Sequence, residues 1–139
     1  MAKAIKGAPF SVRFSASTDR AVEDEARRLR RSKSAIVEGL TEEAMRTRRF
    51  PGIAFRGDDA RRRPWVIGTG LDVWEICELI GEGESSEEPA ASTQLTERHL
   101  RLAAAYRERY PWEIDEAIAE NRRPLAEWQE QYPFVRTPQ

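Results

Sequence analysis

Phe10-Ser11-Val12-Arg13-Phe14-Ser15 decides how the first part of the chain is read. Apolar and polar residues alternate with period two, which places Phe10, Val12 and Phe14 on one face of a strand and turns Ser11 and Arg13 the other way. A helical pattern follows. Ser17-Thr18-Asp19 is a helix-start signal, and Val22, Ala26 and Leu29 recur at spacings of four and three, a narrow apolar stripe on a charged helix. After Arg30-Arg31, either Ser32 or Ser34 can cap a second helix. It carries Ile36, Val37, Leu40 and Ala44 on one side and Arg46, Arg48 and Arg49 at its C-terminal end, where cations complement the helix dipole. Phe50-Pro51-Gly52 ends it. One strand alone leaves its backbone donors and acceptors and its apolar face unsatisfied, so pairing with another copy of the chain is expected.

Strand, helix, short turn and helix is the order of the ribbon-helix-helix fold. Residues 9–49 resemble that family through strand 10–14, the Ser32-Lys33-Ser34 turn and the apolar Ile36, Val37 and Leu40. In that family two chains intertwine and their paired strands form a β-ribbon in the DNA major groove. The resemblance therefore implies base-facing roles for Ser11 and Arg13, with Pro9 at the edge, and a phosphate grip at the helix start formed by Ser32, Lys33 and Ser34. The family's turn glycine is Arg30 here, which makes a left-handed residue at that helix end more costly and leaves a different turn as the alternative. Cations at Arg27, Arg28, Arg30, Arg31 and Lys33 favour DNA. The competing reading is a strand and two helices packed on the rest of the chain without DNA.

The surrounding composition sets the bounds. A chain of 139 residues fits one ordinary domain or two very small ones, and a very small one usually needs a partner to bury enough surface. The formal charge of −1 hides a division: residues 1–63 carry 16 Lys and Arg against 9 Asp and Glu, whereas residues 64–139 carry 7 against 15. A basic half suits nucleic acid and an acidic half suits a basic protein, with ordinary charge scatter as the alternative. A single Cys77 and a single His99 exclude an internal disulfide, a Cys/His zinc cluster and a paired-cysteine redox motif. The longest apolar run, residues 102–106, is far too short to span a bilayer, and the first residues lack a signal-peptide core, so a cytoplasmic location is expected.

Beyond Pro51, Ile53-Ala54-Phe55 and Trp65-Val66-Ile67 read as a hairpin around the turn-rich Arg56-Gly57-Asp58-Asp59. Asp72-Val73-Trp74-Glu75 reads as a capping box opening a helix with Val73, Ile76, Cys77 and Ile80 on its apolar face, closed by Gly81-Glu82-Gly83. Residues 85–93 are acidic, small and interrupted by Pro89, and read as a loop. Thr96 caps the next helix, with Leu95 as a staple and Leu100, Ala103 and Ala104 on one face. Pro111 then starts another helix through Ile114 and Ile118. Short helices behind a hairpin suggest a winged or plain helix-turn-helix-like unit.

Three stretches carry a second resemblance: residues 64–73, Pro-Trp-Val-Ile-Gly-Thr-Gly-Leu-Asp-Val; the Gly81-Glu82-Gly83 turn; and a helix from Leu95-Thr96 to Tyr110-Pro111. Over residues 50–123 the chain is similar to the domain-of-unknown-function family 433 (DUF433). Tyr110-Pro111-Trp112-Glu113-Ile114-Asp115 further resembles VapB-type antitoxins, whose toxin is a PIN-domain ribonuclease. Glu88-Pro89-Ala90-Ala91 departs from the apolar middle helix of that family.

The carboxylate pairs Asp58-Asp59, Glu87-Glu88 and Asp115-Glu116 suit a metal or acid–base chemistry only if they converge, and no nucleophile, His partner or phosphate loop accompanies them. No cofactor, metal or catalytic residue is implied, and the chain reads as a non-enzyme. His99 reads as a surface or half-buried helix residue, and Cys77 as a small core hydrophobe. The tail from Pro124 sets Leu125, Trp128, Tyr132, Phe134 and Val135 among Glu127, Glu130 and Arg136, with three prolines limiting any helix to a short piece. Such a tail either folds on a partner or packs back on the second domain. Under the first reading Leu125, Trp128, Tyr132, Phe134 and Arg136 bind the toxin, with Arg136 replacing metal in an acidic nuclease site.

The expected architecture is mainly α with short β. A ribbon-helix-helix segment (1–49) dimerises through its strand and binds DNA, a DUF433-like helical domain with a hairpin (50–123) follows, and a partner-binding tail (124–139) ends the chain. With the resemblances, this implies a type II antitoxin that neutralises a PIN-type toxin and represses its own operon from operator DNA. The alternative is a stand-alone ribbon-helix-helix repressor whose acidic half binds a small ligand or only dimerises. A hydrolase built on the carboxylate pairs is the third reading, distinguished by metal-dependent turnover.

Overall fold

The computed structural model describes residues 5–58, 61–81 and 95–134. These residues form six helices and one small antiparallel sheet: α1 (Ala16–Leu29), α2 (Lys33–Arg49), β1 (Ile53–Arg56), β2 (Arg63–Val66), α3 (Val73–Gly81), α4 (Glu97–Arg109), α5 (Pro111–Asn121) and α6 (Leu125–Gln131). The chain divides into two compact units, Met1–Glu42 and Glu43–Gln139, so the last turns of α2 belong to the second unit.

In the first unit α1 starts two residues earlier than the Ser17 signal suggests. Ser15 is the N-cap, its hydroxyl accepting from the Thr18 N–H at 3.4 Å. Arg30 ends the helix in the left-handed region at φ 54°. Its N–H donates to the Arg27 carbonyl and that of Arg31 to the Ala26 carbonyl, so the turn keeps the Schellman form without a glycine. Ser32 then caps α2, accepting from the Ala35 N–H at 3.1 Å. Only Val22 and Ile36 are buried here. Contrary to the predicted apolar face, Leu40 is 52% exposed and Ala44 is exposed as well, because the stripe is wider than the surface one chain offers it.

No strand forms over residues 10–14. Among the described residues of this unit there is nothing for the segment to pair with, and a lone strand has no ladder to hold it. Phe10 is 86% exposed and Val12 58%. Lys6, earlier in the same arm, donates to both carboxylate oxygens of Glu38 at 2.7 Å.

The second unit has a continuous core of Ile53, Val66, Val73, Ile76, Cys77, Leu95, Leu100, Ala103, Tyr106 and Ile114. The hairpin supplies its first wall in the register Ile53↔Val66 and Arg56↔Arg63, and α3 packs on α4 and α5 to close it. Gly52 turns the chain from α2 into β1 at φ 106°, a backbone conformation that side chains with a Cβ rarely adopt, and a Cβ there would also press on the tip of Leu102 at 2.9 Å, so glycine is favoured. Ile67 leaves the strand for the turn that leads to Asp72. On α4 the buried face is Leu100, Ala103 and Tyr106; Ala104, predicted for that face, is exposed. The expected loop over residues 85–93, Gly81-Glu82-Gly83 beyond Gly81, and Glu88-Pro89-Ala90-Ala91 lie outside the described residues. No helix among the described residues is long and apolar enough to cross a membrane.

Candidate functional site

Within the first unit the candidate DNA-binding residues fall on two elements. Ser11 and Arg13 sit in the exposed arm before α1, whereas Ser32, Lys33 and Ser34 sit at the start of α2, also exposed. Their commitments differ. The Arg13 side chain has no partner among the described residues, and the Ser32 hydroxyl is occupied by its own helix. Lys33 binds Asp19 of α1 and lies 3.6 Å from Glu23, and the bond to Asp19 holds its ammonium above the ordinary lysine range. Lys33 thus ties the two helices together before it is available to any phosphate.

Two polar clusters fix the second unit. Asp72 is the N-terminal cap position of α3, and Glu75 accepts from its N–H at 3.0 Å, which is half of the expected capping box. The Asp72 carboxylate serves elsewhere. Although only 3% exposed, it accepts from Arg56 Nε at 2.9 Å and Arg63 Nε at 2.5 Å, the two arginines that the hairpin register sets side by side. The guanidinium of Arg56 also lies over the Trp65 ring at 4.8 Å. Arg62 spans from the hairpin to Glu43 of α2 at 2.8 Å.

The second cluster joins α2, α4 and α5. Arg46 donates to the Tyr106 hydroxyl at 2.8 Å and to Glu113, Tyr106 donates to Glu113 at 3.1 Å, and the Arg46 guanidinium covers the Tyr110 ring at 4.0 Å. Phe50 meets both tyrosines edge-on. Burial, with the neighbouring Glu113 charge, pushes the Tyr106 phenol above its ordinary range. Burial opposes the Arg46 charge, but Glu113 outweighs it and raises the arginine further. This cluster closes on itself and serves as a structural clamp. His99, for which the sequence offers no role, completes the box at the start of α4: its Nδ1 accepts from the Thr96 N–H at 3.1 Å, and Thr96 accepts from the His99 N–H at 3.3 Å. Cys77 is buried, its Sγ 3.5 Å from the Ala103 carbonyl, and burial raises the thiol to about 11.

The tail presents aromatic rings. Trp128 stacks on Tyr132 at 5.9 Å, and Tyr132 meets Phe134 at 5.8 Å; Phe134 is 79% exposed. Trp128, Tyr132 and Phe134 are therefore brought together, as a series of rings rather than as separate anchors. Arg136 and Val135 lie outside the described residues, as does the Leu125 side chain. Asp59, Glu87 and Glu88 also lie outside them. Among the described residues, no group of three or more His, Cys, Asp or Glu side chains is placed to hold a metal ion. Searches of known protein families, characterised proteins and solved structures found no match to this chain.

Proposed function

We propose that this chain is an antitoxin of two parts, a paired N-terminal unit that binds operator DNA and an acidic second unit that binds and neutralises a cognate toxin of the PIN-ribonuclease type. The observation that carries this reading is the exposed arm of the first unit. Phe10 and Val12 alternate with Ser11 and Arg13, face solvent, and precede two helices that bury only Val22 and Ile36. Two such arms, laid antiparallel, satisfy each other's backbone and apolar face and present Ser11 and Arg13 outward, as a groove-reading ribbon requires. The excess of cations over residues 1–63 supplies the phosphate attraction, with Ser32, Lys33 and Ser34 flanking the ribbon. The opposite charge of the second half and the aromatic tail suit a separate protein partner through Leu125, Trp128, Tyr132, Phe134 and Arg136.

The test is co-expression of the tagged chain with the open reading frames beside it, followed by a salt wash, intact-mass analysis and titration of the purified material on its own upstream DNA. A bound small nuclease together with a dimer on DNA is the expected result. Arg13→Ala should lose about 1–3 kcal/mol of discrimination between the upstream sequence and random DNA. Recovery of the chain without a partner overturns the antitoxin reading, and unchanged discrimination in Arg13→Ala overturns the assignment of the arm.

A further inference from the structure

The turn between α5 and α6 is organised by one side chain. Arg123 donates from Nη1 to Glu120 at 3.3 Å, from Nε to Glu127 at 3.4 Å and from Nη2 to Gln131, and its guanidinium lies 4.7 Å from the centre of the Trp128 ring. Trp128 is the first ring of the series that continues through Tyr132 to Phe134. A seven-residue helix is too short to be stable in water by itself, so these contacts hold α6 and with it the spacing of the rings.

The charge around the rings is one-sided. From residue 113 to 131 there are six carboxylates and two cations. Both cations are engaged within the unit, Arg122 with Glu78 at 2.9 Å and Arg123 as described. Four of the carboxylates are engaged as well, Glu113 with Arg46, Asp115 with Arg107, and Glu120 and Glu127 with Arg123, so the charges left without a partner among the described residues are those of Glu116 and Glu130. Such a surface repels a phosphate backbone and attracts a surface rimmed by Lys and Arg.

We infer that the tail is a preformed docking element for a protein that presents an apolar groove with a basic rim, and that Arg123 is the positioning residue that sets the rings before the partner arrives. This rests on the antitoxin reading, the partner being the toxin. Rings already in place lose less conformational freedom on binding, so the contribution of Arg123 lies in pre-organisation and not in contact with the partner.

The test uses the full chain and the purified product of the adjoining open reading frame as probe, with affinity and rates measured at several salt concentrations. Trp128→Ala should weaken binding by about 100-fold, and Arg123→Ala by about 10-fold. Arg123→Lys keeps the charge but loses the flat guanidinium on Trp128, and should fall between Arg123→Ala and the wild type. In the free chain, proton contacts between the Trp128 and Tyr132 rings should be present in the NMR spectrum of the wild type and absent from Arg123→Ala. Glu130→Arg should slow association, and added salt should slow it in the wild type. A complex whose affinity is unmoved by Trp128→Ala overturns the docking site while leaving the antitoxin reading in place. Ring contacts that persist in Arg123→Ala overturn the positioning role. Absence of any complex overturns this inference together with the reading it rests on. Tail variants that abolish self-association, or binding of a single-stranded RNA in its place, overturn the assigned partner.

Discussion

The two units answer the same physical demand differently. In the second, nine residues from two strands and three helices, together with Leu95, meet in one core, and the polar groups that enter it are paired: Asp72 with Arg56 and Arg63, Tyr106 with Arg46 and Glu113. In the first, two helices with an apolar stripe bury one side chain each; Ala26, Leu29, Val37 and Phe14 are half-buried, and Leu40 with Phe10 and Val12 of the arm faces solvent. An apolar stripe predicts a helix in both units, but only the presence of a covering surface decides whether it becomes a core. The exposed Leu40 and the apolar arm are the features on which the proposed pairing of two chains rests.

The largest expected effect tests the self-sufficiency of the second unit. Tyr106 fills the centre of its core and bonds to Arg46 and Glu113. Tyr106→Ala should remove about 3–5 kcal/mol from its unfolding free energy in urea, through the lost ring and the cavity. Tyr106→Phe keeps the ring and should cost far less. A loss below about 1 kcal/mol in the alanine variant would mean that the core is not closed as described.

Next in size is the exposed stripe of the first unit. Leu40→Asp is a surface change in a lone chain and should then matter by no more than about 0.5 kcal/mol. If two chains cover that face, as proposed, the aspartate is forced into an apolar interface and should cost about 2–4 kcal/mol of the paired state. Sedimentation and the dependence of melting on protein concentration read this directly. An unchanged mass and melting curve would leave the first unit a monomer with an ordinary surface leucine.

A third effect follows from Cys77 in the closed core. Burial raises its thiol to about 11, whereas the unfolded thiol titrates near 9. Because the unfolded chain loses this proton first, the contribution of the neutral thiol is intact below pH 9 and is lost as pH rises from there towards 11, by at most about 3 kcal/mol. Urea unfolding of the wild type against Cys77→Ala across that range isolates the slope. A native protein alkylated at pH 8 as fast as a free thiol would contradict the burial.

Much of this was legible in the sequence where a pattern is local. The caps Ser32 and Thr96, the hairpin, and the start of α5 at Pro111 follow from residue type and spacing within four or five positions. The polar pairs were not, since Asp72 meets Arg56 across 16 residues and Arg46 meets Glu113 across 67, and no local rule brings them together. Asp72 illustrates the reason. Local spacing assigns its side chain to a helix cap, but two arginines on the hairpin take the carboxylate instead. The tail's aromatic residues were visible as candidates, whereas the role of Arg123 was not, because its partners at Glu120, Glu127 and Gln131 matter only once the turn after α5 has its observed shape. The unpaired arm shows the opposite case: the period-two pattern of residues 10–14 is clear, yet among the described residues no second strand pairs with it to realise it.

The smallest expected effect separates local from shared stability within the first unit. Arg30 occupies the left-handed region at φ 54°, where a Cβ is crowded by its own carbonyl at a cost of about 1–2 kcal/mol. Glycine removes that cost but is freer in the unfolded chain, so Arg30→Gly should gain about 0.5–1 kcal/mol. Arg30→Ala keeps the Cβ and should gain nothing. The Schellman bonds from Arg30 to Arg27 and from Arg31 to Ala26 use only backbone atoms and persist in either variant. The gain should therefore appear as slower hydrogen exchange at the amides of Arg30 and Arg31, with the second unit unchanged. A loss in Arg30→Gly would instead mean that the arginine side chain stabilises this turn by more than its backbone costs.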